Sequence, residues 1–207
     1  MRRCVIIGGA DIMDYDRICG YLRPDDFYIC CDSGLKHRDG LGITPDLIIG
    51  DFDSHENPCL DIETIVLPVI KDDTDSTYAV KAALSRGFTD FLLIGAIGGR
   101  LDHTLGNVSL LLYLEAQGAT AMALDDYSEL LILSPSHPAQ VECRYPFFSL
   151  LNISGTAKGI TIQNAKYPLE NAEITCEYAY GVSNEVLPGK TAELTMKEGY
   201  LLLIKVL

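Results

Sequence analysis

Up to about residue 125, short runs of aliphatic and β-branched side chains alternate with segments of helical texture. The apolar runs predict strands at 4–7, 27–31, 47–49, 64–67, 91–94 and 121–124. Most are apolar at every position rather than at alternate ones, the pattern of strands covered on both faces. A parallel sheet flanked by helices follows. Residues 77–86 predict a helix, because Ala79, Val80, Ala83 and Leu84 share a face, the Asp-Asp-Thr-Asp run before it offers caps, and Gly87 stands just past its end. A second helix, predicted over 104–117, ends at Gly118 in the same way.

Beyond residue 126 the texture changes to short apolar runs broken by Pro, Gly and Asn, at 129–134, 147–154, 159–163, 172–179, 191–196 and 200–207. The expected organisation is α/β: an N-terminal Rossmann-like domain with a parallel sheet over 1–126, then an antiparallel β-sandwich or barrel over 127–207. There is no internal repeat or low-complexity tract.

Composition narrows the functional classes. The 207 residues carry a formal charge of −13, which disfavours binding to nucleic acid or to an anionic membrane, since both depend on Lys and Arg. No apolar run reaches the roughly 18 residues of a membrane span, and Asp11 breaks the N-terminal apolar stretch before it is long enough for a signal peptide. A cytoplasmic protein is expected. The seven cysteines show neither a CxxC pair nor zinc spacing, and read as reduced, mostly buried thiols without a chemical role.

The segment PDLIIGDFDS at 45–54 runs an apolar strand into Asp51 and Asp53. Extended geometry would place the two side chains on one face, roughly 6.7 Å apart. A divalent cation removes the repulsion between such carboxylates, and magnesium suits oxygen ligands shared with substrate phosphates. Three further loops follow strands on the same sheet edge: Asp32-Ser33-Gly34, Lys71-Asp72-Asp73-Thr74-Asp75, and Gly98-Gly99-Arg100-Leu101-Asp102-His103. Singly these read as an N-cap at Asp32, caps at 72–75 and a turn at Gly98-Gly99. Together they concentrate carboxylates on the ligand-binding edge, while Lys71, Arg100 and the glycine backbone provide cationic and N–H groups for phosphate oxygens. That combination suits phosphoryl transfer. Neither a P-loop nor a GxGxxG fingerprint is present, Gly8-Gly9 being incomplete as the latter.

PDLIIGDFDS at 45–54, KDDTDSTYAV at 71–80 and GAIGGRLDHTLGNVSLL at 95–111 resemble the bacterial thiamine pyrophosphokinase family, and AKGITIQNAKYPLEN at 157–171 with YGVSNEV at 180–186 extends the likeness into the second domain. The resemblance implies a catalytic ATP- and metal-binding domain, a thiamine-binding and dimerisation domain, magnesium, and a homodimer with sites at the subunit interface. It implies transfer of the pyrophosphoryl group of ATP to the hydroxyl of thiamine, giving thiamine diphosphate and AMP. On matching positions, Asp51, Asp53 and Asp75 are the implied metal ligands, with Asp32 assisting. Lys71, Asp72, Thr74, Gly98, Gly99, Arg100 and His103 are the implied phosphate side. Asp102, Asn107, Ser183 and Asn184 are the implied thiamine side, with Arg100 and Asp102 counted as catalytic and Asp75 a candidate general base. Ser33 stands where many relatives have glycine.

Two other readings are open. IIGDFDS also resembles the strand-plus-aspartates of haloacid-dehalogenase phosphatases, in which one aspartate is phosphorylated, although GGRLDH has no place in that mechanism. A nonenzymatic sensor of thiamine or nucleotide would retain the fold without the reaction.

Overall fold

The computed structural model describes residues 2–52, 60–70 and 72–207. The chain forms two compact units, Met1–Asp126 and Tyr127–Leu207. In the first, strands β1 (Cys4–Ile7), β2 (Phe27–Cys31), β3 (Leu47–Gly50), β4 (Glu63–Val66), β5 (Asp90–Ile94) and β6 (Thr120–Leu124) are mutually parallel, in the order β6-β5-β1-β2-β3-β4. Every residue of β1 and β3 is buried, as continuous apolar runs require, whereas the edge strand β4 is partly exposed. The chain steps outward from β1 to β4 and then returns to β5 on the other side of β1. That reversal opens a crevice at the carboxyl ends of β1 and β5.

The helices are α1 (Tyr15–Cys19), α2 (Arg38–Leu41), α3 (Asp75–Ser85) and α4 (Leu101–Ala116), with a 3₁₀ stretch at Asp32–His37. Helix α3 starts two residues ahead of the expected 77 because Thr74, within the run expected to offer caps, caps it by accepting from Thr77 N–H. At its end Gly87 takes φ +86°, Gly87 N–H donates to Leu84 O and Phe88 N–H to Ala83 O, satisfying carbonyls that the helix leaves open. Gly118 closes α4 in the same manner. Helix α4 begins at Leu101, three residues ahead of the expected 104, and its N-cap residue, Arg100, makes no side-chain capping bond, so no sequence signal marks this start.

In the second unit, β7 (Ser128–Leu133), β9 (Phe148–Asn152), β12 (Gly181–Asn184) and β14 (Leu201–Val206) run antiparallel in the order β12-β9-β14-β7. A second antiparallel sheet has β8 (Ala139–Glu142), β10 (Thr156–Gln163), β11 (Leu169–Thr175) and β13 (Thr191–Thr195) in the order β11-β10-β13-β8. Phe148, Leu150, Leu201 and Leu203 from the first meet Val141, Ile160, Ile162 and Leu194 from the second in one core. Strands β8 and β12 have four residues each and carry too little periodicity to be read beforehand.

Burial pushes the Cys4 and Cys30 thiols up to about 12 and raises that of Cys31 as well, so all three are protonated. Cys143 and Cys176 are exposed, against the expectation of burial, because both lie in turns where strands β8 and β11 end.

Candidate active site

One open cleft of about 500 Å³ lies in the first unit, at the carboxyl edge of its sheet. Its wall is built from the loop after β1 (Gly8, Gly9, Ala10, Asp11), the ends of β2 and β3 (Asp32, Ser33, Asp51), the start of α3 (Thr74, Asp75, Ser76) and the loop from β5 into α4 (Gly95, Ala96, Gly98, Gly99 and Arg100, then His103 and Asn107). Backbone approaches backbone closely across this floor. A Cβ on Gly8 would come within 2.6 Å of Gly95 O, and one on Gly50 within 2.5 Å of Asp32 Cβ, so these glycines are fixed by space.

Asp32, Asp51 and Asp75 converge, with carboxylate oxygens all within 4.8 Å of one another. Two unit charges at 4.8 Å repel by about 3.5 kcal/mol at an effective dielectric of 20. A purely oxygen donor set with this charge fits magnesium, which takes one or two carboxylates and leaves its other positions to water and phosphate. Asp32 thus stands in the cluster and not as an N-cap: the residue capping its 3₁₀ stretch is Cys31, which makes no side-chain capping bond. Asp53 and Lys71 lie outside the described residues. Among the described residues, β3 ends at Gly50 and Phe52 turns the chain at φ +55°, so the strand does not continue through Asp51 and Phe52. A left-handed aromatic residue is a costly conformation, and here it breaks the two-residue strand period directly after Asp51.

Across the cleft, Gly98 and Gly99 have φ +107° and +62°, with open space where side chains would be. Thr104 Oγ1 accepts from Gly98 N–H at 3.1 Å and so ties this turn to the first turn of α4. Arg100 lines the cleft, but its guanidinium is paired with Asp102 at 2.6 and 3.2 Å in an exposed contact. This bond to Arg100, aided by the His103 N–H, holds the Asp102 carboxyl down at about 2. His103 and Asn107 line the cleft, whereas Asp72, which is exposed, and Asp102 do not. Asn107 is buried and donates from Nδ2 to Ala96 O at 2.7 Å, anchoring the loop after β5.

The remaining two expected site residues belong to β12 in the second unit. Ser183 is exposed at φ +59°, and its N–H donates to Ser149 Oγ. Asn184 is buried at 6% exposure, with its amide engaged locally. Oδ1 accepts from Tyr167 N–H and Glu185 N–H, while Nδ2 donates to Tyr167 O.

The loop Gly8 to Asp11 and Ser76 also line the cleft and were not among the expected site residues. Motif matching passes over Gly8-Gly9 because it completes no fingerprint, yet two glycines after an all-apolar first strand do mark a close approach. What gives them importance is the central place of β1, which only the strand order reveals.

The model of the thiamin pyrophosphokinase catalytic domain matches residues 19–123, and that of the thiamin pyrophosphokinase vitamin B1 binding domain matches 137–201. The chain is 26% identical over 208 residues to thiamine pyrophosphokinase of Bacillus subtilis (strain 168), covering 97% of this chain and 96% of that protein. Its fold is similar to the crystal structure of thiamine pyrophosphokinase from Bacillus subtilis, with a TM-score of 0.88, 24% identity and 99% of each chain covered. It is also similar to thiamin pyrophosphokinase from Geobacillus thermodenitrificans, with a TM-score of 0.84, 28% identity, and 99% of this chain and 97% of that one covered.

Proposed function

The chain belongs to the thiamin pyrophosphokinase family, and we propose that it transfers the pyrophosphoryl group of ATP to thiamine, giving thiamine diphosphate and AMP. The observation that carries this reading is the cluster of Asp32, Asp51 and Asp75 in the same cleft as the Gly98-Gly99 turn and Arg100. Anionic ligands for a metal and cationic or N–H groups for phosphates then serve one substrate. In the reaction the hydroxyl oxygen of thiamine bonds to the β-phosphorus of ATP and its proton passes to solvent, the bond from that phosphorus to the α–β bridging oxygen breaks, and AMP departs with the electron pair.

Asp32, Asp51 and Asp75 are the groups that would hold magnesium, which when bound neutralises phosphate charge; Asp53 is assigned to the metal by the motif alone. The backbone at Gly98 and Gly99 would approach the phosphate oxygens without side-chain hindrance, with Thr74 and His103 lining the same cleft; Lys71 is assigned to the phosphates by the motif alone. Arg100 exchanges its contact with Asp102 for the triphosphate and stabilises charge developing in transfer. Asp102, held ionised at about 2, is a weak proton acceptor at neutral pH, so its part is to hold Arg100 in readiness. The family model that matches the second unit is described as a vitamin B1 binding domain, and Ser183 is the thiamine contact there, on a β12 fixed by Asn184. Asn107 acts by holding the loop after β5.

A homodimer and a cytoplasmic location complete the proposal. Leu101 and Leu105, 70% and 58% exposed one turn apart on α4, are the apolar surface that supports association. Among the described residues no helix is long and apolar enough to cross a membrane.

The test is incubation with ATP, magnesium and thiamine, with products separated by chromatography. AMP and thiamine diphosphate in equal amounts are expected. ADP in place of AMP, or an acyl-phosphate on Asp51 found by mass spectrometry, overturns the proposal.

A further inference from the structure

The loop after β1 forms one wall of the cleft, and His37 fixes its position from behind. His37 ends the 3₁₀ stretch that begins at Asp32 and is buried at 2% exposure. Both ring nitrogens are engaged: Nε2 lies 2.8 Å from Ala10 O, and Nδ1 lies 2.8 Å from the Tyr15 hydroxyl. A carbonyl can only accept, so Nε2 carries the proton and Nδ1 accepts from the Tyr15 O–H. On the other side of the same residue, Ala10 N–H donates to Gly95 O at 2.8 Å. Lys36 holds the neighbouring Asp11 at 2.7 Å. The wall segment is thereby suspended between the loop after β5 and the stretch after β2. Tyr15 is itself packed against Gly40, where a Cβ would come within 2.5 Å of the phenol ring.

A buried imidazole with no other task is an expensive way to fill space, since an unbonded polar group in the interior costs on the order of 1–3 kcal/mol. An aliphatic side chain would pack without that cost but could not bind the Ala10 carbonyl. We propose that His37 is a positioning residue for nucleotide binding: its Nε2–H bond to Ala10 O sets the Gly9–Asp11 wall against which ATP lies. The inference rests on the ATP site proposed above.

Two substitutions separate positioning from packing. In His37→Gln the amide nitrogen falls near the place of Nε2 and can still reach Ala10 O, whereas in His37→Asn it falls near Nδ1 and cannot. Binding of magnesium-ATP is measured by calorimetry without thiamine, alongside the thiamine KM at saturating ATP. His37→Asn weakens ATP binding about tenfold, the value of one well-placed hydrogen bond, and His37→Gln stays within about twofold of wild type. The thiamine KM is unchanged in both. Equal weakening by the two substitutions, or a thiamine KM that rises with the ATP constant, overturns the inference. Should His37→Asn fail to fold, Tyr15→Phe decides: losing the hydroxyl that donates to Nδ1 and anchors the ring weakens ATP binding about threefold, and no change overturns the inference. A wild-type protein that binds no ATP sinks the proposed function instead.

Discussion

Replacing Gly9 by alanine tests how the cleft floor is packed. A Cβ at position 9 would come within 2.6 Å of Ser33 Cβ and closer still to Ser33 Oγ, against a normal carbon separation of about 3.5–4.0 Å. Rotating χ1 of Ser33 moves the oxygen away but cannot move Cβ, so the backbone itself must shift. Overpacking of this kind costs about 1–3 kcal/mol, or about 2–12 °C in melting temperature for a chain of this size. The Ser33→Gly change removes both offending atoms and leaves the Ser33 carbonyl carbon 3.5 Å from the new methyl, an ordinary contact. Alone it costs about 0.5–1 kcal/mol in backbone entropy. The double mutant should therefore melt close to Ser33→Gly, a coupling of about 1–3 kcal/mol. Thermal denaturation by far-UV circular dichroism of the four proteins, with the KM for ATP measured on each, reads the cycle. Equal shifts from Gly9→Ala in the two backgrounds would refute the reasoning, because Ser33 would then not be what the methyl meets.

Three further outcomes follow from the same geometry. Asp75→Asn removes one of three mutually repelling charges, so it should raise the melting temperature in metal-free buffer while weakening magnesium-dependent ATP binding at least about tenfold; a lower melting temperature would count against the cluster. Burial holds the His37 imidazole below its usual value, so the unfolded chain takes up the proton first, and stability is lost as pH falls from about 6.5 towards the folded value. Tyr15, Lys36 and Asp11 face it there, and His37→Gln should flatten the fall in melting temperature between about pH 7 and 5; an unchanged slope refutes this assignment. Asn184→Ala strands the buried groups its amide binds and should cost about 1–3 kcal/mol, seen as a lower urea midpoint, while Ser183→Ala leaves the midpoint in place and raises the thiamine KM.

The shared edge of the candidate site could be read beforehand because Asp32, Asp51, Asp75, Gly98 and Arg100 lie in the connections that follow successive parallel strands. The detail that failed was local. The strand period was carried past Gly50, where Phe52 at φ +55° breaks it. No cap residue announced α4, whose first turn brings Asp102 against Arg100. Four-residue strands such as β12 contain too few positions for a period to show.

Local chemistry sufficed to specify the parallel apolar strands, the glycine ends of α3 and α4, and the acidic and glycine-rich loops, since each depends on residues near one another in the chain. Strand order was not local. Only the placement of β1 between β5 and β2 brings Gly8 to Asp11 into the cleft and sets Gly9 against Ser33 and His37 against Ala10. Those contacts join segments more than 20 residues apart, and their energies exist only once the sheet has fixed which loops are neighbours.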